Sequence, residues 1–225
     1  MWTIKPSFEI LSHISEGGIE ELKMMELIGR VSHKSEDKIS PDGESAKKFV
    51  KRYAIDMGHE AILEHIYVTV RFICDRGISH EIVRHRMASY IQESTRYVNY
   101  GGKMEFIEPP FFESFEQMEM WFNACKKAEI AYKQLLDAGS KPQEARTVLP
   151  NSLKTEIVMT ANLREWRHFF ELRCDHAAHP QMRELAIPLL QEMHRRIPIV
   201  FDDILNDVAE FYSGNAVCWK EEETK

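Results

Sequence analysis

The spacing of apolar residues predicts a chain that alternates between helices and strands. Apolar residues recur every three or four positions in several stretches, as they do on one face of an α-helix. The predicted helices cover residues 19–32, 41–57, 78–83, 115–138 and 162–173, and one or two more follow residue 179 with interruptions at Pro188 and Pro198.

Capping motifs mark where several of these helices begin. A Ser or Asn side chain accepts a backbone N–H of the first turn, and a Gln three residues later can bond back to the cap. The sequence offers such residues at four places: Ser40 before Pro41, Ser114 with Gln117, Ser140 with Gln143, and Asn162.

Strict alternation of apolar and polar residues predicts the strands. The clearest case is residues 66–74, where Ile66, Val68, Val70 and Phe72 share one side. Further strands are predicted at residues 2–12, 104–110 and 153–161. With 225 residues and 44% hydrophobic content, the chain is long enough for one sizeable core. We therefore expect residues 1–225 to form a single domain of mixed helix and strand.

Charge and cysteine content narrow the class of protein. The net charge of -7 disfavours a broad nucleic-acid-binding face, because such binding neutralises many phosphates. The four cysteines, at 74, 125, 174 and 218, form no CxxC pair, which favours reduced thiols. The sequence shows neither an apolar signal core nor a run long enough for a membrane span, so we expect a cytoplasmic protein.

The positive charge is concentrated in residues 84–96. Arg84 and Arg86 follow the predicted helix 78–83, and residues two apart on a helix point in nearly opposite directions, so they could serve two different anionic groups. If residues 94–96 are extended, Ser94 and Arg96 face the same side. A hydroxyl beside a planar guanidinium suits a phosphate. The alternative interpretation is a solvated charged surface.

Two other functions are compatible with these residues. The arginines of 84–96 could contact phosphates in a nucleic-acid-binding module, which predicts salt-sensitive binding. Alternatively, five histidine and glutamate residues could assemble a metal-dependent hydrolase, although no zincin helix with histidines at i and i+4 is present. That set is His59, Glu64, His65, His176 and His179.

Beyond these patterns, the sequence resembles the flavin-dependent thymidylate synthases. The signature is Arg-His-Arg, seven residues, then Ser, matched here by Arg84, His85, Arg86 and Ser94. Further blocks follow the family's order along nearly the whole chain. They are GHE at 58–60 and EH at 64–65, before the predicted strand 66–74, then ARTVLPN at 145–151, the N-x-R…FFELR segment at 162–173, and HPQMRE at 179–184.

The resemblance implies an enzyme that converts dUMP to dTMP by reductive methylation. Methylenetetrahydrofolate would supply the carbon and FAD, reduced by NADPH, the hydride, with no cysteine nucleophile. The implied fold is α+β, a sheet flanked by helices, in a homotetramer whose active sites form at subunit interfaces. No metal is implied, and neither nucleic acid nor membrane is an implied partner.

The resemblance also assigns residues to each ligand. Arg173 would promote ionisation of the uracil ring, because a fixed cation beside the imide favours its anionic form. The FAD contacts would be His59, Ala61, Arg84, His85, Arg86, Gln92, Asn162, Leu163, Arg164 and His168. Of these, a neighbouring subunit would contribute His59, Ala61, Asn162, Leu163, Arg164 and His168. The dUMP contacts would be Glu81, Ile82, Val83, Arg84, Gln92, Glu93, Ser94, Thr95, Arg96, Arg146 and Arg173.

The chain departs from the family pattern at a few of these positions. Some members carry Asn-Glu where Ile91-Gln92 stands here, and Gln92 can form hydrogen bonds but cannot act as a base. Glu81 stands where Gln can occur, and His168 replaces a residue that is Asn in some members. Ser94 has no neighbouring base in the sequence, so phosphate binding is its more economical role than attack on the ring.

Overall fold

The structure, a computed structural model, describes residues 1–214. Its strands are β1 (Trp2–Ile4), β2 (Ser7–Ile10), β3 (Tyr67–Asp75), β4 (Ala88–Gln92), β5 (Glu105–Ile107) and β6 (Lys154–Asn162). Its helices are α1 (Ile19–Val31), α2 (Glu44–Val50), α3 (Arg76–Ile82), α4 (Phe115–Asp137), α5 (Pro142–Ala145), α6 (Leu163–Arg173), α7 (Pro180–Arg196) and α8 (Asp202–Gly214). Short 3-10 turns cover Glu16–Gly18, Glu36–Lys38, Glu60–His65 and Arg146–Val148, and a π-helical turn, Lys51–Asp56, extends α2.

A four-stranded antiparallel sheet in the order β2-β3-β6-β4 forms the centre of the fold. The long strands β3 and β6 pair from Tyr67 opposite Asn162 to Asp75 opposite Lys154. Val68, Val70 and Phe72 are buried on one face, as the alternation predicts. The fold therefore agrees with the α+β expectation of a sheet accompanied by helices.

Helix α6 packs its aromatic residues against the buried face of this sheet. The rings of Trp166 and Phe169 lie 6.3 and 6.2 Å from the ring of Phe72. The indole N–H of Trp166 donates to the carbonyl of Val68 at 3.1 Å, so its polar atom is satisfied in the core. Leu163, Trp166, Phe169 and Phe170 are all fully buried, which confirms the predicted stripe.

A smaller apolar cluster forms around α4 and the two short strands β1 and β5, which pair in parallel. Phe106 of β5 and Tyr132 of α4 are fully buried in it. Phe106 also forms an isolated bridge with Leu153, immediately before β6. This bridge attaches the smaller cluster to the central sheet.

Most predicted elements are confirmed, with shifts at their ends, but the strand predicted at 2–12 is split. Pro6 has no N–H to donate to a strand partner, and the chain breaks there. The two pieces join different sheets, β1 with β5 and β2 with β3. The strand predicted at 104–110 is likewise reduced to β5, and β4 was not predicted as a strand.

Two predicted helix starts are wrong. Helix α2 begins at Glu44 after Gly43, whose φ of +84° suits a glycine, while Ser40 and Ser45 exchange backbone-to-side-chain bonds of 2.8 and 2.9 Å. The predicted Ser140 cap is also wrong, because α5 begins one residue later. There the backbone N–H of Lys141 donates to Glu144 at 2.9 Å.

The predicted interruption at Pro188 does not occur, since α7 continues through it and ends before Pro198. A proline inside a helix costs about 3 kcal/mol. Buried apolar residues lie on both sides of Pro188, and their packing offsets this cost: Leu185, Ala186, Leu189, Leu190 and Met193.

The described thiols belong to the packed interior. Cys74, Cys125 and Cys174 are free and buried, and burial raises the pKa of each. Cys218 lies outside the described residues. Between residues 1 and 214, no helix combines the length and the apolar content that crossing a membrane requires.

The two predicted capping boxes provide a matched stability test. Ser114 accepts the N–H of Gln117 at 3.1 Å, whereas α5 is capped without Ser140. We expect Ser114→Ala to lower the free energy of unfolding by about 1 kcal/mol because α4 loses its cap. Ser140→Ala should change it by less than about 0.5 kcal/mol.

Urea denaturation followed by circular dichroism measures both variants. Equal losses for Ser114→Ala and Ser140→Ala would contradict the assigned start of α4.

Candidate functional site

The arginine-rich segment begins in a tight turn between α3 and β4. The backbone N–H of Arg84 donates to Glu81 and that of His85 to Ile82, at 3.3 and 3.2 Å. The hydroxyl of Tyr90 on β4 lies 2.9 Å from the carbonyl of Ile82 and 2.6 Å from that of His85. Tyr90 thereby holds the turn against the strand that follows it.

His85 lies inside this turn with both ring nitrogens engaged. Its Nε2 accepts from Nε of Arg173 at 3.1 Å, and its Nδ1 lies 3.2 Å from Oε1 of Glu165. The Nε–H of an arginine can only donate, so Nε2 must carry the lone pair and Nδ1 the proton. The geometry therefore assigns a neutral His85 that donates to Glu165.

The surroundings of His85 favour this neutral form. The residue is 3% exposed, and the ring of Phe169 lies 4.9 Å from its ring. Burial, with the positive charge of Arg173 and the neighbouring His168, lowers the pKa of His85 to about 4. Burial also raises the pKa of Glu165.

Arg173, at the end of α6, is fixed from the other side by α3. Its two terminal nitrogens donate to the carboxylate of Glu81 at 2.9 Å and to the backbone carbonyl of Glu81 at 3.0 Å. With His85 on Nε, the guanidinium has three protein contacts in one plane. It is thus held in one orientation while its side chain remains 17% exposed.

Gln92 and Glu93, at the end of β4, point into hydrogen-bonded networks. The amide of Gln92 donates to Ser79 at 2.8 Å and to Thr155 at 3.2 Å. The carboxylate of Glu93 accepts from Tyr100 and, at 3.1 Å, from Lys154. These contacts fix the point at which the chain leaves the sheet.

Residues 94–96 form a turn and not the extended segment considered from the sequence. The carbonyl of Ser94 accepts the N–H of Tyr97 at 3.1 Å and that of Val98 at 3.0 Å. The side chain of Ser94 accepts the N–H of Arg96 at 3.3 Å. Short polar side chains favour such turns because they bond to nearby backbone. Arg146 joins the turn by donating to Thr95 at 3.0 Å.

Three arginines near this site expose their charges. Within residues 1–214, the side chains of Arg84 and Arg86 form neither a hydrogen bond nor an ion pair, and both are exposed. Arg96 is also exposed and lies 5.5 Å from the centre of the Tyr97 ring. These cations are available to an anionic ligand.

A cavity of about 330 Å³ lies beside the first turns of α6. It is lined by Asn162, Arg164, Glu165 and His168, together with Met87 and the carboxylates of Glu60 and Glu64. The side chain of Asn162 caps α6 by accepting the N–H of Glu165 at 2.9 Å. Arg164 donates to Glu64 at 2.6 Å.

A second cavity, of about 720 Å³, lies on the other side of the 3-10 turn Glu60–His65. His59 and Ala61 line it, with Arg30, Lys38 and the aromatic ring of Tyr53. Five of the predicted FAD contacts therefore line these cavities: Asn162, Arg164 and His168 the smaller one, and His59 and Ala61 the larger one.

The alternative metal site is not assembled in the described part of the chain. His59 and His65 line the larger cavity, while Glu64 pairs with Arg164. His176 stacks on Phe211, and His179 caps α7 by accepting the N–H of Gln181 at 3.3 Å. Residues 1–214 contain no group of three His, Cys, Asp or Glu side chains placed to hold a metal ion.

The structure brings Glu81, His85 and Arg173 together and places Thr95 beside Arg146. Ile82 and Leu163 are fully buried, whereas Val83 is exposed. Sequence reasoning missed Glu165, Tyr90 and Lys154. Glu165 carried a recognisable signal, because it lies four residues before Phe169 and thus shares the buried face of α6, where a carboxylate needs a partner.

The residues present suit a large anionic cofactor such as FAD. Exposed Arg84 and Arg86 supply donors without protein partners among the described residues. The cavities add the amide of Asn162 and the imidazoles of His168 and His59. Arginine recognises phosphate groups by paired hydrogen bonds, and the apolar surface of Met87 offers a contact for a flat ring.

Comparison with known proteins identifies the family. The sequence profile described as "Thymidylate synthase complementing protein" matches residues 18–199. The chain is 35% identical over 207 residues to a flavin-dependent thymidylate synthase of Corynebacterium aurimucosum, covering 84% of this chain and 82% of that protein. The enzyme of the same name from Geobacter sulfurreducens is 38% identical over 152 residues, 66% of each chain. The chain therefore belongs to the thymidylate synthase complementing protein family, which includes the flavin-dependent thymidylate synthases.

Proposed function

We propose that this chain catalyses the reductive methylation of dUMP to dTMP, with methylenetetrahydrofolate and NADPH as co-substrates and FAD as cofactor. The observation that carries the proposal is the fixed guanidinium of Arg173, which lies between α3 and the Arg84-His85-Arg86 turn. The family match supports a flavin enzyme that forms thymidylate.

The phosphate of dUMP is assigned to the turn at residues 94–96. Arg96 offers an exposed cation and the half-buried Ser94 a hydroxyl, whereas Thr95 is buried. Arg146 already contacts this turn through Thr95, so a third donor group lies beside it. An arginine fork with neighbouring hydroxyls is a strong phosphate-binding arrangement.

The uracil ring is assigned to the exposed side of the Arg173 guanidinium, next to its contacts with Glu81. A cation held in one orientation stabilises the deprotonated imide without reorganising during the reaction. The ring anion is the better nucleophile towards the folate-borne carbon, and no protein nucleophile is required. Glu81, Gln92 and the exposed Val83 and Arg84 would then border the ring and sugar.

We assign Glu93 a supporting role beside the nucleotide contact expected for it. Its carboxylate is already bonded to Tyr100 and Lys154. In this proposal Glu93 anchors the start of the phosphate-binding turn, and only its backbone faces the nucleotide.

FAD is assigned to the two cavities and to the exposed Arg84 and Arg86. Arg84 and Arg86 would bind its phosphates, with Asn162, Arg164 and His168 on one side and His59 and Ala61 on the other. When bound, the flavin supplies the hydride that completes the methyl group. Both the side chain and the backbone of His85 are engaged inside the chain, so it would act by supporting Arg173 and by fixing the turn that presents Arg84 and Arg86.

A homotetramer is part of the proposal because the site is open on one side. Met87, Ile91 and Tyr97 are 71%, 78% and 79% exposed, and all three belong to the segment that carries the site. Apolar side chains exposed at this level are typical of a surface that another subunit covers. A neighbouring copy would supply the second half of the cofactor site.

Replacement of Arg173 provides the main test. We expect Arg173→Ala to lose nearly all turnover, because no other cation replaces it beside the uracil ring, and Arg173→Lys to recover only part, because lysine lacks the planar fork. Tritium release from dUMP labelled at C5, with FAD, NADPH and methylenetetrahydrofolate, measures the rate. Arg195→Ala is the control, since Arg195 is exposed on α7 and pairs with Glu192. Full activity in Arg173→Ala would remove Arg173 from the mechanism.

The phosphate assignment is tested by pairing a substitution with a truncated ligand. We expect Arg96→Ala to weaken dUMP binding by about 10-fold or more, the equivalent of about 1.5–3 kcal/mol for a hydrogen bond to a charged group. Binding of deoxyuridine, which lacks the phosphate, should change little. Isothermal titration calorimetry measures both ligands, and an equal loss for the two would assign Arg96 elsewhere.

The ion pair between Glu81 and Arg173 makes a prediction of its own. Glu81→Gln removes a negative charge that competes with the uracil anion for Arg173, while the carbonyl contact remains. We expect the dUMP Kd to decrease in this variant and tritium release to be retained. Glu119→Gln, an exposed substitution on α4, is the control. Weaker dUMP binding in Glu81→Gln would instead indicate a direct carboxylate contact with the nucleotide.

A further inference from the structure

Arg173 is held by His85 only if His85 has one particular tautomer. The 3.1 Å contact between the two side chains requires a lone pair on Nε2 of His85. The other tautomer would place two N–H groups against each other. The orientation of the Arg173 guanidinium therefore depends on the group that keeps the proton on Nδ1 of His85.

Glu165 is the acceptor that can keep it there. Its Oε1 lies 3.2 Å from Nδ1, and its side chain is only 10% exposed. The backbone of Glu165 is fixed as well, because its N–H donates to Asn162 at the start of α6. The Glu165 carboxylate therefore belongs to the first turn of α6, the helix whose last residue is Arg173.

Other polar groups around His85 do not supply this acceptor. His168 lies with its ring centre 5.7 Å from that of His85, in an edge arrangement. The hydroxyl of Tyr90 contacts the backbone carbonyl of His85 and not its ring. Glu81 contacts Arg173. Among the described residues, Glu165 is the hydrogen-bond partner of Nδ1.

We propose that Glu165 is a positioning residue that selects the Nδ1-protonated tautomer of His85 and thereby aims Arg173 at the substrate. Its catalytic consequence rests on the function proposed above, whereas its effect on the tautomer does not. No bond is made or broken at Glu165. It acts through two successive hydrogen bonds, from Nδ1–H to the carboxylate and from Arg173 to Nε2.

The tautomer is measured directly by NMR of protein labelled with ¹⁵N-histidine. Correlations from ring protons to ring nitrogens distinguish a protonated Nδ1 from a protonated Nε2, and a His85→Gln sample identifies the His85 signals. We expect the native chain and Glu165→Gln to show a protonated Nδ1, because the Gln oxygen can still accept. Glu165→Leu removes the acceptor, so the single Nδ1–H form should be lost. Circular dichroism verifies that each variant is folded.

Turnover provides the second measurement. In Glu165→Leu we expect kcat to decrease by about 10- to 100-fold, the effect of a small misplacement of a catalytic group, with a smaller change in the KM for dUMP. Glu165→Gln should restore most of the rate, which a purely electrostatic role would not allow. Glu119→Leu, at an exposed position on α4, is the control and should retain the native rate.

Two results would overturn the proposal. A protonated Nε2 in the native chain would exclude the assigned contact, and a folded Glu165→Leu variant with unchanged tautomer and kcat would show that Glu165 is dispensable. Failure of the proposed function is distinguishable from both. In that case the native chain would release no tritium from labelled dUMP, while the NMR spectra of the native chain and of each variant would still report the tautomer of His85.

Discussion

The pairing of β3 with β6 is the constraint on which the site depends. Helix α3 begins where β3 ends, at Asp75, and α6 begins where β6 ends, at Asn162. Because the strands are antiparallel, the two helices leave opposite ends of the pair. The contact between Arg173 and Glu81 joins the last turns of both helices. A shift of register between these strands would separate Arg173 from the turn that holds His85.

The elements with strong local signals could be predicted from the sequence. Alternation along 66–74 gave β3, and the Asn162 cap with its aromatic stripe gave α6, because the local pattern and the core require the same residues. The Ser114 box gave the start of α4. The errors arose where local signals compete with tertiary packing, as at Pro188, or where a proline divides a strand between two sheets, as at Pro6.

The site itself was predictable only in part. The Arg-His-Arg motif marked the right segment, but its spacing could not show that Arg84 and Arg86 are exposed while His85 is buried between α3 and α6. The contact between Glu165 and His85 shows why the motif alone could not predict this burial. Its partner is 80 residues away in the sequence, and only the strand register brings them within 3.2 Å. The turn at 94–96 was also hidden, since short polar residues are compatible with both extended and turned backbone.

The three buried cysteines within residues 1–214 affect the chemical durability of the folded protein. Alkylating agents and peroxides attack the thiolate, which requires both ionisation and access. Cys74, Cys125 and Cys174 are packed against apolar neighbours, and burial raises the pKa of each, so at neutral pH they remain protonated. These sulfur atoms therefore serve as small hydrophobic fillers. The folded part that contains them should resist thiol-directed inactivation.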